Sequence, residues 1–171
     1  MSDTSQARYA VYYAPPRDGE LWRLAQSWLG RDCESGAVLT PPALEGWSGG
    51  DIAAVTESPR RYGFHATLKA PFRLAPGCGP EDLYDALRTF AARRRPFQAP
   101  ALKVSAIGPF LALTLSARSP EMEGLAAAAV QDLDPLRAPL SAQELERRLG
   151  SDLSDRQQDL LHSWGYPYVL D

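Results

Sequence analysis

The chain has 171 residues, with 18 basic and 21 acidic side chains and a formal net charge of −3, which excludes a chain-wide electrostatic grip on nucleic acid while leaving room for a local basic patch. A hydrophobic content of 44% supports a core of about one domain and excludes a disordered chain. No apolar run approaches the roughly 20 residues that span a bilayer, and the opening MSDTSQARYA lacks the basic-then-apolar layout of a secretory signal; the expectation is a cytoplasmic protein with no membrane partner, in which Cys33 and Cys78 are reduced thiols.

Along the chain, Arg8 to Ala14 is aromatic and β-branched and stops at Pro15-Pro16, which predicts a strand. Asp18 is placed to cap a helix carrying Leu21, Trp22, Leu24, Ala25, Trp28 and Leu29, with Gly30 at its C-terminal end. Thr40 to Gly50 is rich in Pro and Gly and reads as a loop, and Asp51 to Ser58 as a short helix stopped before Pro59. Tyr62 to Leu74 predicts a second strand, with Pro71 marking a bend or an edge.

After the APGCG turn, Pro80, Glu81 and Asp82 suit the first turn of a helix that runs to Arg93-Arg94-Arg95. Ala101 to Ile107 and Phe110 to Ser116 read as strands around Gly108-Pro109, and Ser119-Pro120 opens an alanine-rich helix to about Leu133. Ser141 with Glu144, and Ser154 with Gln157, match the capping box at the start of two tail helices. Gly165 to Leu170 looks like the start of a further strand. This order predicts an α+β fold in one domain over 1–171, with a small, mostly antiparallel sheet and flanking helices.

The chemistry is narrowed by histidine. There are two, His65 and His162, and neither belongs to an HExxH or CxxC-type zinc pattern. No GxSxG elbow, P-loop or GxGxxG turn occurs. In RYGFHATLKAPF (Arg61 to Phe72), strand alternation puts Phe64, Ala66, Leu68 and Ala70 on an apolar face and His65, Thr67 and Lys69 on a polar one. Positions two apart lie about 6.6–6.8 Å from each other, so a phosphate-sized group fits over that column. Histidine exchanges a proton near neutrality, threonine donates from a stiff side chain, and lysine supplies a point charge. No metal or other cofactor is called for. A solvated polar strand face is the plainer alternative.

RYAVYYAP, RRYGFHATLKAPF and WGYPYV together resemble the phosphonate-metabolism proteins, a branch of the 2H phosphoesterase (LigT-like) superfamily. The resemblance implies a bilobal α+β fold in which each lobe contributes one His-x-Thr motif. The two histidines then act as acid and base on a phosphodiester, the threonines hold the phosphate, and the substrate is a 2′,3′-cyclic phosphate, a ribosyl cyclic phosphate or another small phosphorylated sugar. Here the first motif is His65-Ala66-Thr67. The second is expected a few residues after WGYPYV, on the last strand of the second lobe, beyond Asp171. His162, in DLLHSWG, does not match it.

The site expected from these readings has His65 and Thr67 as catalytic residues and Lys69, Tyr12, Arg61 and Tyr168 as substrate-binding ones. Tyr12 could donate its phenol to phosphate or simply pack; Arg61 precedes the strand; Tyr168 leads toward the expected second motif. The expected partner is a small phosphorylated substrate, with an RNA end as a weaker choice. The competing function is a binding module for phosphorylated metabolites or RNA ends that does not turn them over.

Overall fold

A computed structural model describes residues 7–150 and 152–170. It is an α+β protein whose elements run β1 (Tyr9–Tyr13), α1 (Glu20–Leu29), α2 (Gly49–Val55), β2 (Ala66–Phe72), α3 (Pro80–Ala92), β3 (Leu102–Ile107), β4 (Phe110–Leu115), α4 (Pro120–Asp132), α5 (Ala142–Leu149) and α6 (Asp155–Trp164). Strands β1 and β2 form one two-stranded sheet, and β3 and β4 form another. The chain divides into two compact units, one of residues 12–67 and one of residues 1–11 with 68–171.

The 12–67 unit is built around α1. Trp22, Ala25 and Leu29 fall on one helical stripe and are buried, while Trp28 is 37% exposed instead of lying in the core. Gly30 ends the helix in the left-handed region at φ 66°, the conformation that a C-terminal glycine adopts without strain. Asp18 does not cap α1. Gly19 holds the N-cap position with no side-chain hydrogen bond, and its amide donates to the Pro16 carbonyl at 2.9 Å.

Helix α2 starts two residues before the expected Asp51 because Ser48 caps it: the Asp51 amide donates to Ser48 Oγ, and the Ser48 amide donates to Asp51 Oδ2 at 2.8 Å. The helix ends early, at Val55. Arg60 then folds back and donates from Nη2 to Thr56 Oγ1 at 2.7 Å and to the Ala53 carbonyl, supplying donors to carbonyls that a helix end leaves open.

In the 68–171 unit the core is formed by Phe72 of β2, Leu83 and Phe90 of α3, Ala129 and Val130 of α4, and Leu160 and Leu161 of α6. Each helix start predicted from capping chemistry is observed at Ser119, Ser141 and Ser154. Strands β3 and β4 pair antiparallel with Leu102 opposite Leu115 and Val104 opposite Leu113. By alternation, Leu102, Val104 and Ala106 share a face with Leu111, Leu113 and Leu115, and Val104 and Leu111 are exposed.

The final strand is not formed. Gly165 takes the left-handed conformation at φ 73° and its amide donates to the Leu161 carbonyl at 2.8 Å, so the chain leaves α6 through a helix cap. Residues 167–169 lie in turn or bend conformation, and Leu170 has φ 58°, which ends any extended run there. No described helix is long and apolar enough to cross a membrane.

Candidate functional site

His65 stands immediately before β2, not within the strand. Gly63 has φ +75°, a conformation that side chains other than glycine rarely adopt. Its carbonyl lies 2.8 Å from His65 Nδ1. A carbonyl only accepts, so Nδ1 carries the proton, and in the neutral imidazole Nε2 bears the lone pair.

Two neighbours fix this arrangement within the 12–67 unit. A Cβ on Gly63 would lie 2.6 Å from Cys33 Cβ, so close packing as well as dihedral angle demands glycine. Cys33 is itself held by Gln26, which is buried, donates to Sγ at 3.0 Å and accepts from the Cys33 amide at 3.3 Å. The Tyr12 ring stacks on the imidazole with centroids 3.8 Å apart and planes 26° from parallel. Rotation of the ring therefore costs a hydrogen bond and a stack together. His65 is half-buried and Thr67 is exposed.

Tyr12 and His65 are thus brought into contact by the fold. Arg61 is exposed, and among the described residues its side chain pairs with Glu57 at 3.7 Å, an arrangement worth little in water. In the 68–171 unit, Tyr168 is 59% exposed and meets Tyr166 edge-on at 5.7 Å. His162 is exposed on α6.

Lys69 differs from the expected polar column. It is 3% exposed, and its Nζ donates to the Val130 carbonyl at 2.8 Å and to Asp134 Oδ1 at 3.1 Å. The ammonium is held inside the 68–171 unit, where the carboxylate and the α4 carbonyl replace its water. The residues expected on the apolar face are correspondingly open, Ala66 being exposed and Leu68 and Ala70 half-buried. A lone two-stranded sheet covers neither face fully, so burial follows these polar partners and Phe72 rather than simple alternation.

Asp134 also accepts from Arg137 Nε at 2.7 Å and Nη2 at 3.1 Å. Burial pushes the Asp134 carboxyl up, but the hydrogen bonds from Arg137 and Lys69 outweigh it and leave it below the usual range. Burial pulls the Lys69 ammonium down, partly offset by Asp134. Nearby, Arg73 grips Glu144 with two bonds of 2.6 Å, which with the Ser141 amide holds the Glu144 carboxyl down at about 2. Sequence spacing could not reveal these pairs, because the partners lie 65 and 71 residues apart. Among the described residues no group of three or more His, Cys, Asp or Glu is placed to hold a metal ion.

The family described as "Protein of unknown function (DUF1045)" matches residues 67–171, and the chain belongs to it. It is also similar to two proteins named ribose 1,5-bisphosphate phosphokinase PhnN. One, from Janthinobacterium sp. (strain Marseille), is 39% identical over 99% of this chain; the other, from Laribacter hongkongensis (strain HLHK9), is 39% identical over 96% of it. The chain spans 37% of the length of each relative. No solved structure matches it significantly.

Proposed function

We propose that this protein is a phosphoester-handling module of phosphonate metabolism, acting without a metal on a small phosphorylated ribose, with His65 as its proton-transfer group. The hydrogen bond from His65 Nδ1 to the Gly63 carbonyl carries this assignment. It fixes the tautomer whose free Nε2 can take a proton from water as the water oxygen bonds to phosphorus. The Thr67 hydroxyl, exposed at the start of β2, is the donor to a non-bridging phosphate oxygen.

When the ring of a cyclic phosphate opens, one P–O bond breaks and its oxygen must receive a proton. The 2H resemblance assigns that proton to a second histidine; with one His-x-Thr in this sequence, the leaving oxygen takes its proton from solvent and turnover is correspondingly slow. The substrate class is supported from outside the chain by the name of its relatives, which specifies a phosphorylated ribose. Their kinase activity is best assigned to the part of those proteins that this chain does not match, since no GxxxxGK[ST] phosphate cradle occurs in its sequence.

The test is a ³¹P NMR assay of the protein with ribose cyclic phosphate and with 2′,3′-cyclic nucleotides, in the presence and absence of EDTA. Conversion of the cyclic signal to a phosphomonoester, unchanged by EDTA, is the expected result. Saturable shifts without conversion would identify a binding module instead, and neither shifts nor conversion would remove the phosphoester assignment.

A further inference from the structure

A second concentration of charge lies wholly within the 68–171 unit and its N-terminal segment. Arg8, Lys69, Arg73, Arg137 and Glu144 line a cavity together with Trp164 and Tyr166. The short ladder at the end of β2 builds it. The Ala75 amide donates to the Leu136 carbonyl, and the Ala138 amide donates to the Arg73 carbonyl, each at 2.8 Å, an isolated antiparallel bridge that places Leu74 opposite Arg137. Arg148, on α5, does not line the cavity itself but holds two residues that do: it donates to the Gly165 carbonyl and sits 5.7 Å over the Tyr166 ring.

The charges do not balance. Asp134 serves both Lys69 and Arg137, and Glu144 serves Arg73. Arg8 and Arg148 have no carboxylate partner among the described residues; Arg8 donates to the Pro71 carbonyl at 2.9 Å and Arg148 to that of Gly165. Five cations therefore surround two carboxylates. Capping of α6 explains part of this, since Arg137 and Arg148 donate to carbonyls at its end, but a helix terminus supplies only about half a negative charge. Burial pulls the Arg148 guanidinium down, and repulsion from Arg8 adds to it, partly offset by attraction from Glu144, which makes no hydrogen bond to it among the described residues. An exposed guanidinium lining the cavity, with a second one on the Gly165 and Tyr166 that also line it, offers N–H donors in the fork arrangement that suits an oxyanion.

We propose that this cavity is an anion-binding site for phosphate or a phosphomonoester, with Arg8 as its ligand-facing residue and Arg148, behind Gly165 and Tyr166, adding charge at its edge. Its interior has a volume of about 20 Å³, room for about one water. The phosphoryl group therefore sits at the mouth, where Arg8 is exposed, with an ordered water behind it. None of its lining residues belongs to the 12–67 unit, and the proposal does not depend on the role given to His65.

Calorimetric titration of the protein with inorganic phosphate, and then with ribose 5-phosphate, tests the assignment. One saturable site is expected, weakened at least about tenfold by Arg8→Gln and by Arg148→Gln, as loss of a charge-assisted hydrogen bond implies. Arg148→Lys retains charge without the fork and falls between wild type and Arg148→Gln. Arg88→Gln, which removes an exposed charge on α3 away from the lining residues, leaves binding unchanged. Should Arg148→Gln fail to fold by circular dichroism, Arg8→Gln decides alone. Absence of saturable binding, indifference to both arginine variants, or an equal loss in Arg88→Gln would each overturn the proposal.

Discussion

His65→Ala is expected to lower kcat/KM toward a cyclic ribose phosphate by about 10²–10⁴-fold, the usual contribution of a positioned acid or base, while leaving the fold intact. The two effects separate because the imidazole is half-buried and its contacts are local. It loses one hydrogen bond to the Gly63 carbonyl and one stack on Tyr12, and a stack of this kind is worth about 0.5–1.5 kcal/mol. Tyr12→Phe keeps the ring and removes the phenol, so a small change there combined with a large one at His65 would assign Tyr12 to packing. If His65→Ala retained wild-type kcat/KM, the imidazole would have no part in the chemistry. Thermal melts of both variants distinguish lost chemistry from lost structure.

Asp134→Ala is expected to cost about 3–5 kcal/mol of stability, the range for breaking a buried ion pair by removing one partner. The carboxylate is the only acidic group hydrogen-bonded to Lys69 and Arg137 among the described residues, at 3.1 Å and 2.7 Å, and the Lys69 side chain is 4% exposed. Without it, an ammonium is left in a site that water barely reaches, with Arg137 close enough to repel it. Lys69→Met in the same background removes the stranded charge and is expected to recover much of the loss, because an apolar side chain of similar length fits beside Val130. Urea denaturation of the two variants measures both effects; equal stability of Asp134→Ala and wild type would show that the pair does not carry the packing of β2 against α4.

Most of the fold was legible where it rests on local chemistry. The serine caps of α4, α5 and α6, the glycine end of α1 and the β3–β4 hairpin all follow from residues within a few positions of one another. Strands β1 and β2 were legible from composition, but what their side chains meet at a distance was not. Gly165 to Leu170 has strand-like residues, yet it coils after the α6 cap. Lys69 alternates with the polar column in sequence but is drawn inward by Asp134 and by the Val130 carbonyl, more than 60 residues away.

At the candidate site, sequence pattern singled out His65 and Thr67, whereas the support of the imidazole needed coordinates. The glycine in Tyr62-Gly63-Phe64-His65 was the available signal, since glycine before a strand marks a left-handed residue or a close approach. Gly63 proves to be both.

Nitrogen-detected NMR of the imidazoles tests the central claim most directly, because the chain contains only two histidines and exposed His162 serves as an internal reference. The spectrum should show neutral His65 protonated on Nδ1, and addition of a cyclic ribose phosphate should shift His65 Nε2 while leaving His162 unmoved. A His65 protonated on Nε2, or one indifferent to the cyclic phosphate at saturating concentration, would contradict an imidazole held by Gly63 and aimed at a phosphoester.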